Sequence, residues 1–479
     1  MRSRVRSGSR LRSPGDRRGR LVSAMPPIIS LVDSVIHPNE SFNQSVDTFI
    51  QTIDSECATH SPEVQMSIHV LVVGAGIGGL CLAQGLRMTG VRVTVFERSR
   101  ERTDWLQGYR IHINPPGAAA LRDCLPSHLW ETFERTASRP STGFGFVDEK
   151  LRDLVFLEED LFSGTHYGIS RITLRKVLLE GLDDVVRFGK EYERYTIGDD
   201  GRVTAHFTDG TSETGDVLIA ADGSNSRVRA QYLPHAQRMD TGVIAIAGKL
   251  PLTAETRAQL PPRLLTGPNN ILPARSSAMF TALWETPESE RAELSEYTDT
   301  GDYLFWAYST SAARLPGDVE RMAPEALRDL VHGKTDGWSP ALREVVAASD
   351  PATINAIRLR SMDPDLKPWR PSQVTLLGDA IHNMTPMAGI GANTALRDAA
   401  VLKSRLVEVD AGRKPLLTAV GEYETRMRGY AFAAVRESLR NARQSASDAR
   451  LPRAAFTTAL RLANAVPSLK RRMFADMGQ

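Results

Sequence analysis

The residues best suited to chemistry are the glycines of the stretch GAGIGG, at positions 74–79. They fit the pattern G-x-G-x-x-G. Gly74 permits a tight turn, Gly76 lets a pyrophosphate approach the backbone, and Gly79 allows close packing of a helix on a strand. The N–H groups of a helix that begins here would face the phosphates. The pattern predicts a dinucleotide site, with Ile77 inside the turn.

An acidic residue stands where such a site needs one. Glu97 closes the next apolar run, 23 residues after Gly74, and its carboxylate could accept hydrogen bonds from ribose hydroxyls. Arg98 follows it and could meet the adenosine phosphate or a 2′-phosphate. These residues are compatible with either NAD or FAD as the bound dinucleotide.

The elements around the turn support this interpretation. The run IHVLVV from Ile68 is nearly all apolar, as expected of a strand buried on both faces of a parallel sheet. A helix is predicted from about Gly78 to Thr89, followed by the β-branched strand VRVTVFE. Together they form a βαβ unit.

Two later strand ends carry acidic turns. The segment VLIAADGSNSRVR ends a strand at Asp222, next to Gly223. The segment VTLLGDAIHNMTPMAGIGANTALRDAAVL ends a strand at Asp379 and then enters a helix from about Ala392. Between strand and helix it passes through Pro386, Gly389 and Gly391.

These three segments, in this order, resemble the class A flavoprotein monooxygenases, the family of p-hydroxybenzoate hydroxylase. The resemblance covers about residues 68–445. It implies that the glycine turn binds the FAD pyrophosphate, that the Asp222 segment contacts FAD and is tied to NAD(P)H use, and that Asp379 holds the ribityl chain. The helix opening would face the flavin pyrimidine, where its dipole favours negative charge on reduced flavin. Gly389, Gly391, Ala392 and Asn393 form this opening.

The resemblance implies further cofactor residues. In ISRITLRKVLLEGL, Arg171 would contact FAD, whereas Arg175 is expected on the surface. In QGYRIHINPPGAAAL, Gly108 and Arg110 would lie near the isoalloxazine ring. His112 and His382 are expected to pack or form hydrogen bonds rather than act as bases.

The resemblance also implies the reaction. NAD(P)H, docking transiently, would reduce the bound FAD. The reduced flavin and O2 would form a C4a-hydroperoxide that hydroxylates or epoxidises a small molecule. The sequence has no second G-x-G-x-x-G for a nicotinamide domain and no acid–base triad, and we expect no metal site. A halogenase or reductase of the same fold is the alternative, although the W-x-W-x-I-P stretch of halogenases is absent. A non-catalytic flavin-bound protein is a third hypothesis.

Strands between the second and third motifs carry aromatic residues that could line a substrate site. We expect an aromatic or polycyclic substrate, of the kind found in secondary metabolism. The candidate lining residues are Phe280, Ala282, Trp284, Phe305, Trp306 and Tyr308.

The predicted fold class is α/β, with a Rossmann-like FAD-binding domain, an inserted, mostly antiparallel β-sheet substrate domain and C-terminal helices. The FAD-binding domain is predicted at 67–235 and 356–410, the insertion at 236–355, and the C-terminal helices at 411–479. The C-terminal segment is amphipathic with a basic end. We expect it to pack on the FAD-binding domain, with peripheral membrane contact as the alternative.

Charge and composition narrow the class of protein. Residues 1–20 hold eight arginines and one acid, so a net charge of +2 leaves about −5 on the remainder, which argues against a nucleic-acid-binding body. No apolar run is long enough to span a membrane. We expect residues 1–66 to be disordered or a targeting extension. The three cysteines lack paired spacing and favour a reducing compartment. A cytoplasmic location is expected, or a mitochondrial one if residues 1–20 are a transit peptide. The oligomeric state stays open.

Overall fold

Short apolar runs form the strands that carry the predicted motifs. The computed structural model describes residues 67–100, 110–138, 143–161, 164–274, 277–285 and 301–474, so the predictions for residues 1–66 and Gly108 lie outside the described residues. In chain order the strands are β1 (His69–Val73), β2 (Arg92–Phe96), β3 (Arg110–Ile113), β4 (Gly143–Val147), β5 (Asp153–Glu158), β6 (Tyr167–Ser170), β7 (Val186–Arg187), β8 (Tyr192–Ile197), β9 (Val203–Phe207), β10 (Ser212–Gly215), β11 (Val217–Ala220), β12 (Arg238–Pro251), β13 (Asn269–Ile271), β14 (Ser277–Trp284), β15 (Tyr303–Ser311), β16 (Asn355–Met362) and β17 (Val374–Leu376).

Several helices begin at residues that suit helix starts. Asn114, for example, accepts a hydrogen bond from the Gly117 N–H, and Pro115 is the first helical residue after it. In chain order the helices are α1 (Ile77–Met88), α2 (Pro115–Cys124), α3 (Ser127–Thr136), α4 (Arg171–Leu179), α5 (Arg227–Tyr232), α6 (Ala254–Gln259), α7 (Pro262–Leu265), α8 (Pro324–Lys334), α9 (Pro340–Ala347), α10 (Asp379–His382), α11 (Gly391–Asp410), α12 (Leu416–Ala446), α13 (Arg450–Ala465) and α14 (Pro467–Met473).

The three motif-bearing strands lie side by side in one parallel sheet. Its strand order is β17-β11-β1-β2-β7, and β1 pairs with both β11 and β2. Every residue of β1 is buried, as the apolar run predicts. Because parallel strands end at the same edge, the turns after β1, β11 and β17 come together there. The predicted Rossmann-like α/β core is confirmed.

A second, larger sheet holds the predicted insertion. Its order is β16-β12-β15-β14-β13-β4-β5, and all its pairings are antiparallel except that between β13 and β4. The last two strands of this order, β4 and the edge strand β5, come from residues 143–158, which we assigned to the FAD-binding part. One face of the sheet packs on α8 and α9, where Trp306 and Leu342 are fully buried.

Two small sheets complete the β structure. Strands β3 and β6 form an antiparallel ribbon in which Arg110 pairs with Ser170 and His112 with Gly168. Strands β10, β9 and β8 form a three-stranded antiparallel sheet. The ribbon matters for function because β6 leads directly into α4, where Arg171 is the first residue.

The last two helices follow the 31-residue helix α12. Helix α13 packs on β5 through Leu460, which is buried among Phe146, Leu154, Val155 and Leu157. It therefore covers the outer strands of the seven-stranded sheet. These strands lie within residues 67–235, which we assigned to the FAD-binding domain, but they are not part of the parallel sheet. Within the described residues, no helix has the length and hydropathy needed to cross a membrane.

Candidate functional site

A large cavity lies between the carboxyl edge of the parallel sheet and the seven-stranded sheet. Its volume is about 1070 Å³, above the usual range for a single small ligand. Its wall includes residues from all three motif segments, so the structure brings together parts of the chain about 300 residues apart. The predicted cofactor residues on this wall are Gly76, Ile77, Gly79, Arg110, Arg171, Asp379, Pro386, Gly389, Gly391 and Ala392.

The three glycines of the first turn differ in what surrounds them. A Cβ on Gly74 would lie 2.3 Å from the Ala221 carbonyl oxygen, and one on Gly79 would lie 2.2 Å from the Gly74 carbonyl oxygen. A Cβ on Gly76 would meet no atom within 4 Å. Gly76 also has a φ of −79°, which any residue adopts. The fold therefore requires glycine at 74 and 79, whereas at 76 only a bound group close to the backbone would require it.

Two buried side chains hold this turn. The Ala75 N–H donates to Glu97 Oε2 at 2.9 Å, and the other Glu97 oxygen accepts from the backbone and hydroxyl of Ser99. Arg175 Nε donates to the Ala75 carbonyl oxygen at 3.0 Å. Arg175 is only 3% exposed, so our prediction of a surface residue was wrong. Its position on the buried face of α4 could not be seen from spacing alone. Arg98 is exposed and not on the cavity wall.

The second motif presents its glycine, not its aspartate, to the cavity. Asp222 Oδ2 accepts from the N–H groups of Arg227 at 2.9 Å and Val228 at 3.3 Å, so Asp222 holds the first turn of α5, whose N-cap is Ser226. Burial raises the pKa of the Asp222 carboxyl. Gly223, next to it, lines the cavity.

Arg229 joins the second motif to the third. Its guanidinium donates to the Ala380 carbonyl oxygen at 2.7 Å and to the Ser224 carbonyl oxygen at 3.0 Å. Because the side chain is buried, these bonds are shielded from water and fix the two loops relative to each other.

Asp379 is exposed on the cavity wall as the first residue of α10, above a buried network. Asp398 Oδ2 accepts from the Gly378 N–H at 2.8 Å and lies 2.5 Å from His382 Nε2. Tyr430 donates its hydroxyl to Asp398 Oδ1 at 2.6 Å. Burial disfavours the charged form of His382, but the Asp398 carboxylate outweighs it and raises the pKa of His382. The network fixes the turn that presents Asp379.

The residues at the N-terminus of α11 have two different roles. Gly391 and Ala392 line the cavity, and Gly389 has the left-handed φ of 67°. Asn393 points away from the cavity: its Oδ1 accepts from the Asn114 N–H at 2.9 Å, and its Nδ2 donates to the His112 carbonyl oxygen at 2.8 Å. Asn393 therefore positions the helix against the β3–α2 loop and does not lie on the cofactor wall.

The β3–β6 ribbon supplies polar residues to the cavity. Arg110, His112, His166 and Gly168 line it together with Arg171. His112 Nε2 lies 2.9 Å from His166 Nδ1. Burial, with repulsion from Arg110 and His166, lowers the pKa of His112 to about 3, so His112 is neutral at physiological pH.

The aromatic residues predicted to line the substrate site separate into two groups. Phe280 and Phe305 lie on the cavity wall with ring centroids 6.3 Å apart. Trp306 projects from the opposite face of β15, where its indole N–H donates to Ser349 Oγ at 2.7 Å. Trp284 lies further along β14, packed against Tyr303 in the core around the parallel sheet. The structure thus corrects our placement of Trp284 and Trp306.

Two other candidates also lie away from the cavity. Ala282 is 1% exposed and Tyr308 is 4% exposed, and neither belongs to the wall. Ala307 and Ser309, which alternate along β15 with Trp306 and Tyr308, line the cavity instead.

The C-terminal helices form a part of the cavity wall that we did not predict from the sequence. The end of α12 and the start of α13 contribute Asn441, Gln444, Arg453 and Phe456. Arg453 donates to the carbonyl oxygens of Pro273 at 2.9 Å and Ser277 at 2.8 Å, so it anchors α13 to the seven-stranded sheet. The amphipathic pattern of residues 454–474 was the available signal, but it does not say which surface the helix covers.

Comparison with known proteins agrees with this geometry. The FAD binding domain family matches residues 67–300 and 338–438. The chain is 35% identical over 391 residues to the dual O-methyltransferase/FAD-dependent monooxygenase CTB3 of Cercospora beticola, covering 75% of this chain and 44% of that protein. It is 30% identical over 339 residues to the FAD-dependent urate hydroxylase of Klebsiella oxytoca, covering 69% and 79%.

A solved structure agrees as well. A protein of Photorhabdus luminescens subsp. laumondii, assigned as an FAD-containing monooxygenase, superposes with a TM-score of 0.73 at 41% identity, covering 79% of this chain and 98% of that one. The chain spans less than half the length of the fungal dual enzymes it matches. Matched over most of its length and carrying all three cofactor segments on one cavity, the chain belongs to the FAD-dependent monooxygenases of the p-hydroxybenzoate hydroxylase-like class A family.

Proposed function

We propose that this enzyme uses NAD(P)H and O2 to hydroxylate or epoxidise an aromatic or polycyclic small molecule. One oxygen atom of O2 enters the product and the other leaves as water, while NAD(P)H supplies two electrons and a proton from solvent completes the balance. The observation that carries the proposal is the single cavity on which the three cofactor segments meet beside an aromatic-lined sheet.

The residues on the wall suit FAD. The open space at Gly76 suits the pyrophosphate, and the N-terminus of α1 would supply N–H groups to it. Asp379 is exposed on the cavity wall at the carboxyl edge of the parallel sheet. There its carboxylate could accept hydrogen bonds from ribityl hydroxyls. Bound FAD would supply hydride acceptance and the activation of O2.

The chain's own groups would then favour the reaction. Helix α11 has 20 residues, and its positive N-terminal end at Gly391 suits negative charge on the flavin pyrimidine. Phe280, Phe305 and Met384 give the cavity apolar walls that exclude water from the reacting atoms.

The lining of the cavity and the name of one relative support the proposed substrate class. Phe280 and Phe305 offer ring faces to a flat ligand. The relative from Klebsiella oxytoca is a urate hydroxylase by name, and urate is a flat heteroaromatic ring. We therefore propose flat aromatic substrates for this chain too.

The decisive experiment follows the flavin and the oxygen separately. Purified enzyme is reduced anaerobically with NADH or NADPH, and the loss of flavin absorbance is recorded before air is admitted. Aromatic compounds that accelerate NAD(P)H oxidation are then incubated under ¹⁸O2 and the products weighed by mass spectrometry. Product heavier by one ¹⁸O supports monooxygenation. If flavin turnover yields only hydrogen peroxide or a reduced acceptor with every compound, the result would favour the reductase alternative. A halogenated product would favour the halogenase alternative.

A further inference from the structure

Exposed apolar side chains are concentrated on the last two helices. Among the described residues, nine large apolar side chains are exposed, and five of them lie within residues 451–473. The other four lie on four separate elements, α1, β8, β16 and α12. Single exposed apolar residues are ordinary, whereas a group of them marks an interaction surface. We call the group on α13 and α14 the apolar face: Leu451, Leu462, Val466, Leu469 and Met473.

Helix α13 has a buried side and an opposite side that carries part of the apolar face. Leu460 is fully buried against β5. Leu451 and Leu462 are 11 residues apart, about three helical turns, so they project from one side of the helix. Leu460 follows Leu451 by nine residues, about two and a half turns, and therefore lies on the other side. Leu451 is 84% exposed and Leu462 is 55% exposed.

The same segment is strongly basic. Residues 450–474 contain six basic residues and no acidic residue. Two of them hold the segment to the protein: Arg453 donates to carbonyl oxygens of the seven-stranded sheet, and Lys470 pairs with Glu158 at 2.6 Å. The other four are exposed: Arg450, Arg461, Arg471 and Arg472.

Neighbouring acids leave this positive charge largely in place. Arg461 lies 3.9 Å from Asp148, but Asp148 already pairs with Arg152 at 2.7 Å. Glu158, on β5, is paired with Lys470. The apolar face is therefore bordered by a net positive charge.

This combination suits an anionic membrane surface. Apolar side chains of a surface helix enter the boundary between headgroups and acyl chains, while arginines beside them contact anionic headgroups. A second copy of this chain suits the surface less well. In a two-fold dimer the same patch meets itself, so four arginines of each copy would face four of the other.

We infer that α13 and α14 attach the enzyme to an anionic membrane surface, with the apolar face turned towards the lipid. The attachment is peripheral, with the helices lying on the membrane. It goes beyond the proposed reaction and does not depend on it. Because Phe456, on α13, lines the cavity, the attached enzyme would hold this part of the cavity wall close to the lipid.

The test measures binding to vesicles of two compositions. FAD-loaded full-length enzyme is mixed with vesicles of phosphatidylcholine, or of equal parts phosphatidylcholine and phosphatidylglycerol, and the bound fraction is sedimented. Wild type should bind the anionic vesicles about 10-fold or more tightly than the neutral ones. The preference should fall as salt is added, because salt screens the arginines.

Two double variants separate the apolar and the charged contributions. Leu451→Ser with Leu462→Ser should weaken binding to anionic vesicles by about 10-fold or more, because two side chains no longer enter the lipid. Arg471→Gln with Arg472→Gln should weaken binding to anionic vesicles by about 10-fold and leave binding to neutral vesicles unchanged. Both variants should keep the wild-type FAD content, because these four side chains do not line the cavity.

Matched controls make the same changes elsewhere on the surface. Met88→Ser with Leu417→Ser removes two side chains that are 48% and 45% exposed on α1 and α12. Arg370→Gln with Arg413→Gln removes two exposed positive charges. Both controls should bind vesicles as wild type does.

Three results would overturn the inference. The first is wild-type enzyme that does not sediment with anionic vesicles, and the second is binding that the control variants weaken as much as the variants of the apolar face. The third is a wild-type dimer that Leu451→Ser with Leu462→Ser converts to a monomer in analytical ultracentrifugation, since this would assign the face to a second copy. Reduction of the flavin by NAD(P)H, measured without vesicles, tests the proposed function separately.

Discussion

Two neighbouring residues on β15 have different roles, because one lines the cavity and the next packs in the core on the other side of the sheet. Phe305 faces the cavity, and Trp306 faces α8 and α9, where its indole N–H bonds Ser349. Both are aromatic, and both stand in a strand that borders the cavity. Only the alternation of the strand separates them.

Substitutions at these two positions should therefore have opposite effects. Phe305→Ala should weaken binding of aromatic ligands by about 10-fold because a ring face is lost. Trp306→Phe should leave binding unchanged and lower the free energy of unfolding by about 1–3 kcal/mol, since Ser349 loses a buried partner. Flavin difference spectra measure the first effect and urea denaturation the second. If Phe305→Ala changed only stability and Trp306→Phe changed only ligand binding, the placement of the two rings would be refuted.

His112 should make stability depend on pH. Its pKa falls from 6.5 in the unfolded chain to about 3 in the folded one, because of burial and the neighbouring Arg110 and His166. The unfolded state then binds more protons, so stability is full above about pH 6.5 and is lost as the pH falls towards 3.

The measurement compares wild type with His112→Gln. From pH 6.5 to pH 5, this histidine should cost wild type up to about 2 kcal/mol of unfolding free energy. The glutamine variant should lose correspondingly less over the same interval in urea denaturation. Equal losses in both proteins would show that His112 is not held neutral by the fold.

At the scale of elements, the opening of α11 depends on contacts with a distant loop. Asn393 bonds both the Asn114 N–H and the His112 carbonyl oxygen. The same first turn presents Gly391 and Ala392 to the cavity. Positioning of the helix end and shaping of the cofactor wall are thus linked through one amide side chain.

Removing that amide should loosen the helix end. Asn393→Ala leaves two buried backbone groups without partners, so we expect a loss of about 2–3 kcal/mol in unfolding free energy and weaker FAD binding. Ser404→Ala, at an exposed position of the same helix, should change neither. Fluorescence titration of apoprotein with FAD and thermal denaturation provide the readouts. Tight FAD binding by Asn393→Ala would contradict the link.

Features that depend on neighbouring residues in the chain can be predicted from the sequence, whereas features that depend on contacts between distant segments cannot. The glycine turn, the strand ends at Asp222 and Asp379, and the start of α11 obey local rules, and the structure has those elements. The burial of Arg175, the pairing of β4 and β5 with the large sheet, and the position of Trp284 beyond the cavity depend on contacts between distant segments. Alternation within a strand cannot say where along that strand a cavity ends.

At the scale of the whole molecule, three regions of the chain meet to form the wall of the cavity. The parallel sheet supplies the motif turns, the seven-stranded sheet supplies aromatic residues, and α12 and α13 cover the remaining side. Leu460 attaches α13 to β5 and is fully buried.

Loss of this attachment should affect the cover without affecting the cofactor. Leu460→Ala should cost about 2–5 kcal/mol locally and raise hydrogen exchange across residues 450–473, while the FAD content stays at the wild-type level. Leu451, 84% exposed on the same helix, is the matched control, and Leu451→Ala should leave exchange unchanged. Unchanged exchange in Leu460→Ala would show that α13 is held by other contacts.

The central claim is that this cavity binds FAD with its pyrophosphate against Gly76, and the flavin content of Gly76→Val tests it most directly. A Cβ at position 76 meets no atom within 4 Å, so the apoprotein should melt within a few degrees of wild-type apoprotein. With the approach to the backbone blocked, the variant should carry less than about a tenth of the wild-type FAD. A Gly76→Val protein with a full complement of FAD would contradict the account.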